Sequence, residues 1–102
     1  RKEEAVEQFR EAARLEPGSA EVQFKLGFSL AEMGRPAAAE APFRRTVEIR
    51  PDWAEAWNQL GVALALAGRA LEAIPCFTEA LRLDPRFDAA ARNLERARRS
   101  RS

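Results

Sequence analysis

Along residues 54–67, Trp57, Leu60, Gly61 and Leu64 fall at i, i+3, i+4 and i+7. That spacing places them on one stripe of a helix. A second stripe, made of Ala70, Ala73, Ile74, Phe77, Ala80 and Leu81, predicts another helix over 70–83. Gly68 lies between them and can take the positive φ that ends a helix. Pro85 stops the second helix, because the residue before a proline, Asp84, avoids the α region. The same plan precedes this pair, with helices over 20–33 and 37–49 and Ser19 as the expected N-cap. Asp52 and Glu55 flank the start at residue 54 like a capping box, with Asp in place of Ser or Thr. Trp53 and Phe87 precede two of the helices in equivalent places and read as hydrophobic staples.

Shifting the chain by 34 residues superimposes Pro17, Pro51 and Pro85. Ala5, Ala39 and Ala73 also coincide, as do Phe9, Phe43 and Phe77, and Leu26, Leu60 and Leu94. Gly27 matches Gly61, Gly34 matches Gly68, and Leu30 matches Leu64. A period of this length marks a stack of similar supersecondary units. A mid-helix glycine costs about 0.5–1 kcal/mol relative to alanine, yet Gly27 and Gly61 recur on the buried stripe. There a missing Cβ lets the partner helix approach, with Ala39 and Ala73 small on the other side and Phe43 and Phe77 filling the space beyond. Pro42 and Pro75 interrupt the second helices of the pairs and predict gentle kinks or a delayed helical start.

Composition narrows the chemistry. The 102 residues are 46% hydrophobic and 32% charged, a globular balance sized for one modest core. The sequence contains no histidine and no tyrosine. The usual Ser-His, Cys-His and zinc constellations therefore cannot be built. None of the five glycines sits in a phosphate-binding spacing. Most carboxylates fall on exposed helical faces, so neither catalysis nor a metal or cofactor is expected. The net charge of +1 gives no global pull toward nucleic acid or membrane. No apolar run approaches the roughly 20 residues that span a bilayer. The single cysteine, Cys76, reads as a space-filling residue and fits a reducing, cytoplasmic setting, with a periplasmic one also compatible. Arginine outnumbers lysine 15 to 2, a bias that resembles GC-rich bacterial coding.

The run Trp57-x-x-Leu60-Gly61-x-x-Leu64, followed by Ala73-x-x-x-Phe77, Ala80 and Pro85, resembles the tetratricopeptide repeat pattern. The resemblance covers essentially the whole chain and implies an all-α, right-handed superhelical solenoid of antiparallel helix pairs, six helices in one domain over 1–102. The unit 54–87 is close to the pattern. The unit 20–53 has Gln23 where Trp is usual and Thr46 where Ala is usual, and Leu30 and Leu64 replace an aromatic. Residues 1–16 match a second helix alone, which suggests a cut through a longer array. Residues 88–100 match a first helix alone, with Glu95 where glycine would fall. That pattern reads as a solvating cap. The apolar residues of the first helix, Ala5, Val6, Phe9, Ala12 and Ala13, form a stripe expected to be exposed and able to pair with another copy.

Tetratricopeptide repeats typically bind a partner's segment in a concave groove lined by the first helices. The resemblance thus implies a non-catalytic interaction scaffold with a protein or peptide ligand. The groove positions carried over are Phe24, Lys25 and Phe28, then Asn58, Gln59, Val62 and Leu66, then Arg92, Asn93 and Arg96. The alternative is a structural array segment that associates through its end helices. Chaperone-binding relatives hold a C-terminal carboxylate with a Lys, Asn and Arg clamp. At matching places this chain has Phe24, Phe28, Gln59, Ala89 and Asn93, so a chaperone C-terminus is not the expected ligand. The groove reads as apolar in its middle and basic at its C-terminal end, suited to apolar anchors with acidic residues beyond. The arginine-rich tail, 96–102, complements a helix C-terminus. It lacks the basic face and interleaved aromatics of a nucleic-acid site.

Overall fold

The computed structural model describes residues 1–100; Arg101 and Ser102, the end of the arginine-rich tail, lie outside the described residues. Six helices make up the described residues: α1 (Lys2–Leu15), α2 (Ala20–Glu32), α3 (Pro36–Ile49), α4 (Ala54–Leu66), α5 (Ala70–Leu83) and α6 (Asp88–Ser100). The order and the pairing are those the period predicts, and boundaries move by a residue or two. Consecutive helices pack on one another, α2 with α3 and α4 with α5 as the two full pairs. The result is an antiparallel helical solenoid measuring 39 × 25 × 18 Å.

The turns within the pairs depend on backbone that only glycine takes without strain. Gly34 has φ 74° and Gly68 has φ 83°. At the first, Gly34 N–H donates to Ala31 O (2.9 Å) and Arg35 N–H to Leu30 O (3.0 Å). At the second, Gly68 N–H donates to Ala65 O (3.0 Å) and Arg69 N–H to Leu64 O (2.9 Å). These are Schellman closures that satisfy carbonyls left over by the helix end.

Within each pair a ring fits against a glycine. A Cβ built on Gly27 would lie 2.7 Å from the Phe43 ring, and one on Gly61 would lie 2.5 Å from Phe77. Phe43, Phe77, Ala39 and Ala73 are buried to within 1%. The helix-propensity penalty of each glycine is therefore offset by a buried aromatic, whose truncation costs about 3–5 kcal/mol. Thr46, in a place where the pattern has alanine, is also fully buried. Its hydroxyl donates to Pro42 O at 2.7 Å, which removes the penalty of burying it unpaired.

Two local expectations need correction. Asp52 does not cap α4: the N-cap is Trp53, with no side-chain cap bond. The turn is tied instead by the Trp57 indole N–H, which donates to Pro51 O at 2.8 Å. Trp53 accordingly occupies the cap position itself and not the staple position before it. Ser19 does cap α2, accepting from Val22 N–H at 3.2 Å. Nor do the prolines delay a helix. α3 starts at Pro36, a first-turn place where no donor is lost. It then runs through Pro42, as α5 runs through Pro75. The carbonyls these two rings leave without a helical donor belong to Ala38 and Leu71, both exposed to water.

Candidate functional site

The first helices of the units, α2, α4 and α6, bring three successive side chains to each groove position. One column is Phe24, Asn58 and Arg92; the next is Phe28, Val62 and Arg96. Both run from aromatic at the α2 end to basic at the α6 end. Phe28 is 42% exposed and Leu66 69% exposed, whereas most large apolar side chains are covered.

At the α2 end, Phe9, Phe24, Lys25, Phe28, Ser29 and Glu55 line an open depression of about 400 Å³. Phe24 and Phe28 play different parts in it. Phe24 is stacked on Trp53 with ring centroids 4.5 Å apart and tilted against Phe43 at 5.6 Å, so much of its surface is spent on joining the units. The Arg50 guanidinium covers Trp53, 4.6 Å from the ring centre. Phe28 lies 6.4 Å from Phe24, nearly parallel to it, and is itself exposed.

At the α6 end, Val62, Leu66, Ala70, Phe77, Asn93 and Arg96 border a smaller cavity of about 160 Å³. Asn58 is not available to a ligand there: it is only 5% exposed. Its Oδ1 accepts from the Asn93 amide at 3.1 Å, a bond that ties α4 to α6. Asn93 Oδ1 in turn accepts from Arg96 Nη1 at 3.4 Å. Lys25 and Arg92 are exposed and Gln59 is partly so. Lys25 and Phe28 thus border the depression at the α2 end, and Val62, Leu66 and Arg96 the cavity at the α6 end.

The stripe on α1 also needs correction. Val6 is 3% exposed and belongs to the core against α2, so it is no part of an exposed face. Phe9 and Ala13 pack partly against the same core, leaving Ala5, Phe9, Ala12 and Ala13 half-covered. Cys76 is buried, and burial pushes its thiol up to about 11. A thiol held that high is a poor nucleophile. Among the described residues no group of three His, Cys, Asp or Glu could hold a metal ion, and no helix is long and apolar enough to cross a membrane.

Sequence reasoning missed three features here. It placed Phe9 on an outer face and not at the groove's edge. It took Trp53 as a staple and not as the support of Phe24. It also left Asn58 open to ligand. The first had a signal, since Phe9 shares its column with two core rings.

The architecture is an α-solenoid of antiparallel helix pairs. Tetratricopeptide repeat profiles match residues 3–61 and residues 54–87, and the chain belongs to the tetratricopeptide repeat family. No curated protein sequence matches it. Among solved structures it is similar to the first such domain of Spaghetti (RPAP3) bound to an HSP90 peptide, at 17% identity and a TM-score of 0.92, covering 97% of this chain and 79% of that one. It is similar to the MamA protein at 22% identity and a TM-score of 0.92, covering 98% of this chain but only 55% of MamA. The Arabidopsis OM64 domain aligns at 24% identity and a TM-score of 0.89, covering 96% of this chain and 81% of that one. At these identities the likeness establishes the right-handed fold and no more.

Proposed function

We propose that the chain is a non-catalytic protein-interaction module that holds a segment of another polypeptide in its concave groove. The observation that supports this reading is the exposure of Phe28 and Leu66, 42% and 69%, each beside an open depression on a first-type helix, with Arg96 lining the same cavity as Leu66. Exposed aromatic and aliphatic anchors rimmed by charge are what a recognition surface needs. The RPAP3 domain of similar fold is bound to an HSP90 peptide, which supports a peptide as the class of ligand. The ligand chemistry differs here, because Phe24 and Phe28 stand where a carboxylate clamp would need cations. The segment that fits has apolar side chains for Phe28, Val62 and Leu66 and acidic residues toward Arg92 and Arg96. Association through the end helices is less well supported, since α2 covers Val6 and Glu95 occupies the glycine position of α6.

A displayed library of random 12-residue peptides, selected on this chain, tests the reading. Enriched peptides should carry apolar residues followed by Asp or Glu. Their affinity should fall about tenfold with Phe28→Ala and with Leu66→Ala, a loss of about 1.4 kcal/mol each. Leu71 is 63% exposed on α5, outside the groove lining, so Leu71→Ala should leave affinity unchanged. Peptides that respond to Leu71→Ala and ignore Phe28→Ala would remove the groove from consideration.

A further inference from the structure

α4 packs against the α2–α3 pair, and α6 packs against the α4–α5 pair, so the two junctions can be compared position by position. At the second junction Arg96 and Ser100 stand in the register of Val62 and Leu66, and Val62 stands in that of Phe28. At three places an apolar side chain thus gives way to a smaller or a charged one. The cavity of about 160 Å³ lies here, between Val62 and Leu66 on α4, Ala70 and Phe77 on α5, and Ala97 and Ser100 on α6. Phe77 and Ala97, 1% and 3% exposed, form its inner wall, and the exposed Leu66, Arg96 and Ser100 form its rim. A shortened helix does not create it: α6 over Asp88–Ser100 fills the same register as α4 over Ala54–Leu66.

The lining carries charge of one sign. Arg96 borders the cavity, and among the described residues no carboxylate does. Arg10, Arg14, Arg44, Arg69 and Arg82 each pair with a carboxylate, whereas Arg96 has none among the described residues. Asn93 holds it instead. The Asn93 amide nitrogen donates to Asn58 Oδ1, and its Oδ1 accepts from Arg96 Nη1 at 3.4 Å. That bond uses one of the guanidinium's five N–H donors, and the others can meet a carboxylate.

We infer that this cavity seats one leucine-sized apolar side chain of the bound segment, with a carboxylate of the same segment on Arg96. The inference rests on the reading of the chain as a peptide-binding module and adds which side chain anchors the segment, and where. An apolar cavity of about 150 Å³ holds one benzene-sized group, so one such side chain fits and two do not. A cation beside the anchor would be repelled by Arg96, with no carboxylate in the lining to offset it.

The probe is 4-methylpentanoate, a leucine-like tail ending in a carboxylate, titrated into the full chain by NMR. It should give saturable shifts at Ala70 and Ala97. 4-Methylpentan-1-ol, of the same shape without the charge, should bind about tenfold more weakly. Arg96→Gln should abolish that preference. Ser100→Leu restores the residue that α4 carries at this register. It should fill the cavity and remove binding of both probes without lowering the melting temperature. Ala70→Leu, from α5, is a second filling variant. Absence of saturable shifts at Ala97, equal binding of acid and alcohol, or unchanged binding in both filling variants would overturn the proposal. Peptides selected on the chain separate it from the wider reading. Affinity lost with Phe28→Ala but with neither filling variant removes this pocket and keeps the groove; affinity lost with none of the three removes both.

Discussion

Phe43 and Phe77 share one environment, whereas Phe9, third in the column, has only half of it. Each interior ring meets a glycine on the preceding helix and a small residue on its own, and the surrounding helices shut out water. Phe9 has the α2 side and lacks the other. The contrast shows that a unit of this solenoid is completed by its pair, not by its own sequence. Truncating the rings measures the difference. Phe77→Ala should cost about 3–5 kcal/mol in denaturant unfolding, the usual range for a fully buried phenylalanine. Phe9→Ala should cost about 1–2 kcal/mol, because part of its surface is already wet. Equal losses would mean that α1 is as enclosed as α5 in solution.

The glycines sharpen the same contrast. Gly61→Ala improves helix propensity by about 1 kcal/mol. It also drives a methyl to 2.5 Å from Phe77, where neighbouring helices leave little room for the ring to move. Overpacking of this kind costs about 1–3 kcal/mol, so the variant should be net destabilised by about 1 kcal/mol. Gly18 has no atom within 4 Å of a Cβ and no positive φ. Gly18→Ala should change stability by less than about 0.5 kcal/mol. A stabilised Gly61→Ala would show that Phe77 can retreat and that the glycine is not required.

Two neighbouring rings on α2 separate structure from recognition. Phe24→Ala removes contacts with Trp53 and Phe43 and should cost about 2–3 kcal/mol of stability. Phe28→Ala removes a ring that is 42% exposed and should cost about 1 kcal/mol or less, while weakening groove peptides. Thermal melts of the two variants, run beside the peptide titration, check both halves of the statement.

What could be read from the sequence was whatever repeats. The helix pairs, the turn glycines and the glycine-to-ring contacts all follow from the 34-residue register, because each recurs with the same chemistry. What could not be read was single. The Asn58–Asn93 bond joins residues 35 apart whose counterparts one repeat earlier are Phe24 and Gln59, so no column announces it. Trp53 stacks across a unit boundary, and its place before a helix gave equal reason to expect a staple. Val6 was assigned to the wrong face of α1. A helix with apolar residues on two sides does not say which side its neighbour takes.

The ion pairs between units are the least repeated feature of all. Arg69, at the N-cap of α5, reaches Glu40 on α3 at 2.5 Å and Glu72 at 2.6 Å. Arg44 holds the other Glu40 oxygen at 2.9 Å. In the register of the repeat, Glu40 corresponds to Val6 on α1 and to Ile74 on α5, so neither of those helices offers a carboxylate at this place. The hydrogen bond from Arg44 is the main cause holding the Glu40 carboxyl below its ordinary 4.5; burial opposes it, and the bond and charge of Arg69 lower it further. A carboxyl lowered on folding stabilises the fold above its unfolded value and loses that contribution as pH falls through its folded one. Glu40→Gln should therefore cost about 0.5 kcal/mol at neutral pH, the scale of a partly exposed ion pair. The deficit should shrink on acidification below pH 4.5 and also in 1 M salt. Ile74→Gln, at the matching place on α5, should show neither dependence. Denaturant midpoints of the two variants across pH 3–7 compare a charged with an uncharged place in the same register. A deficit in Glu40→Gln that stayed constant down to pH 3 would assign its cost to lost packing and not to charge.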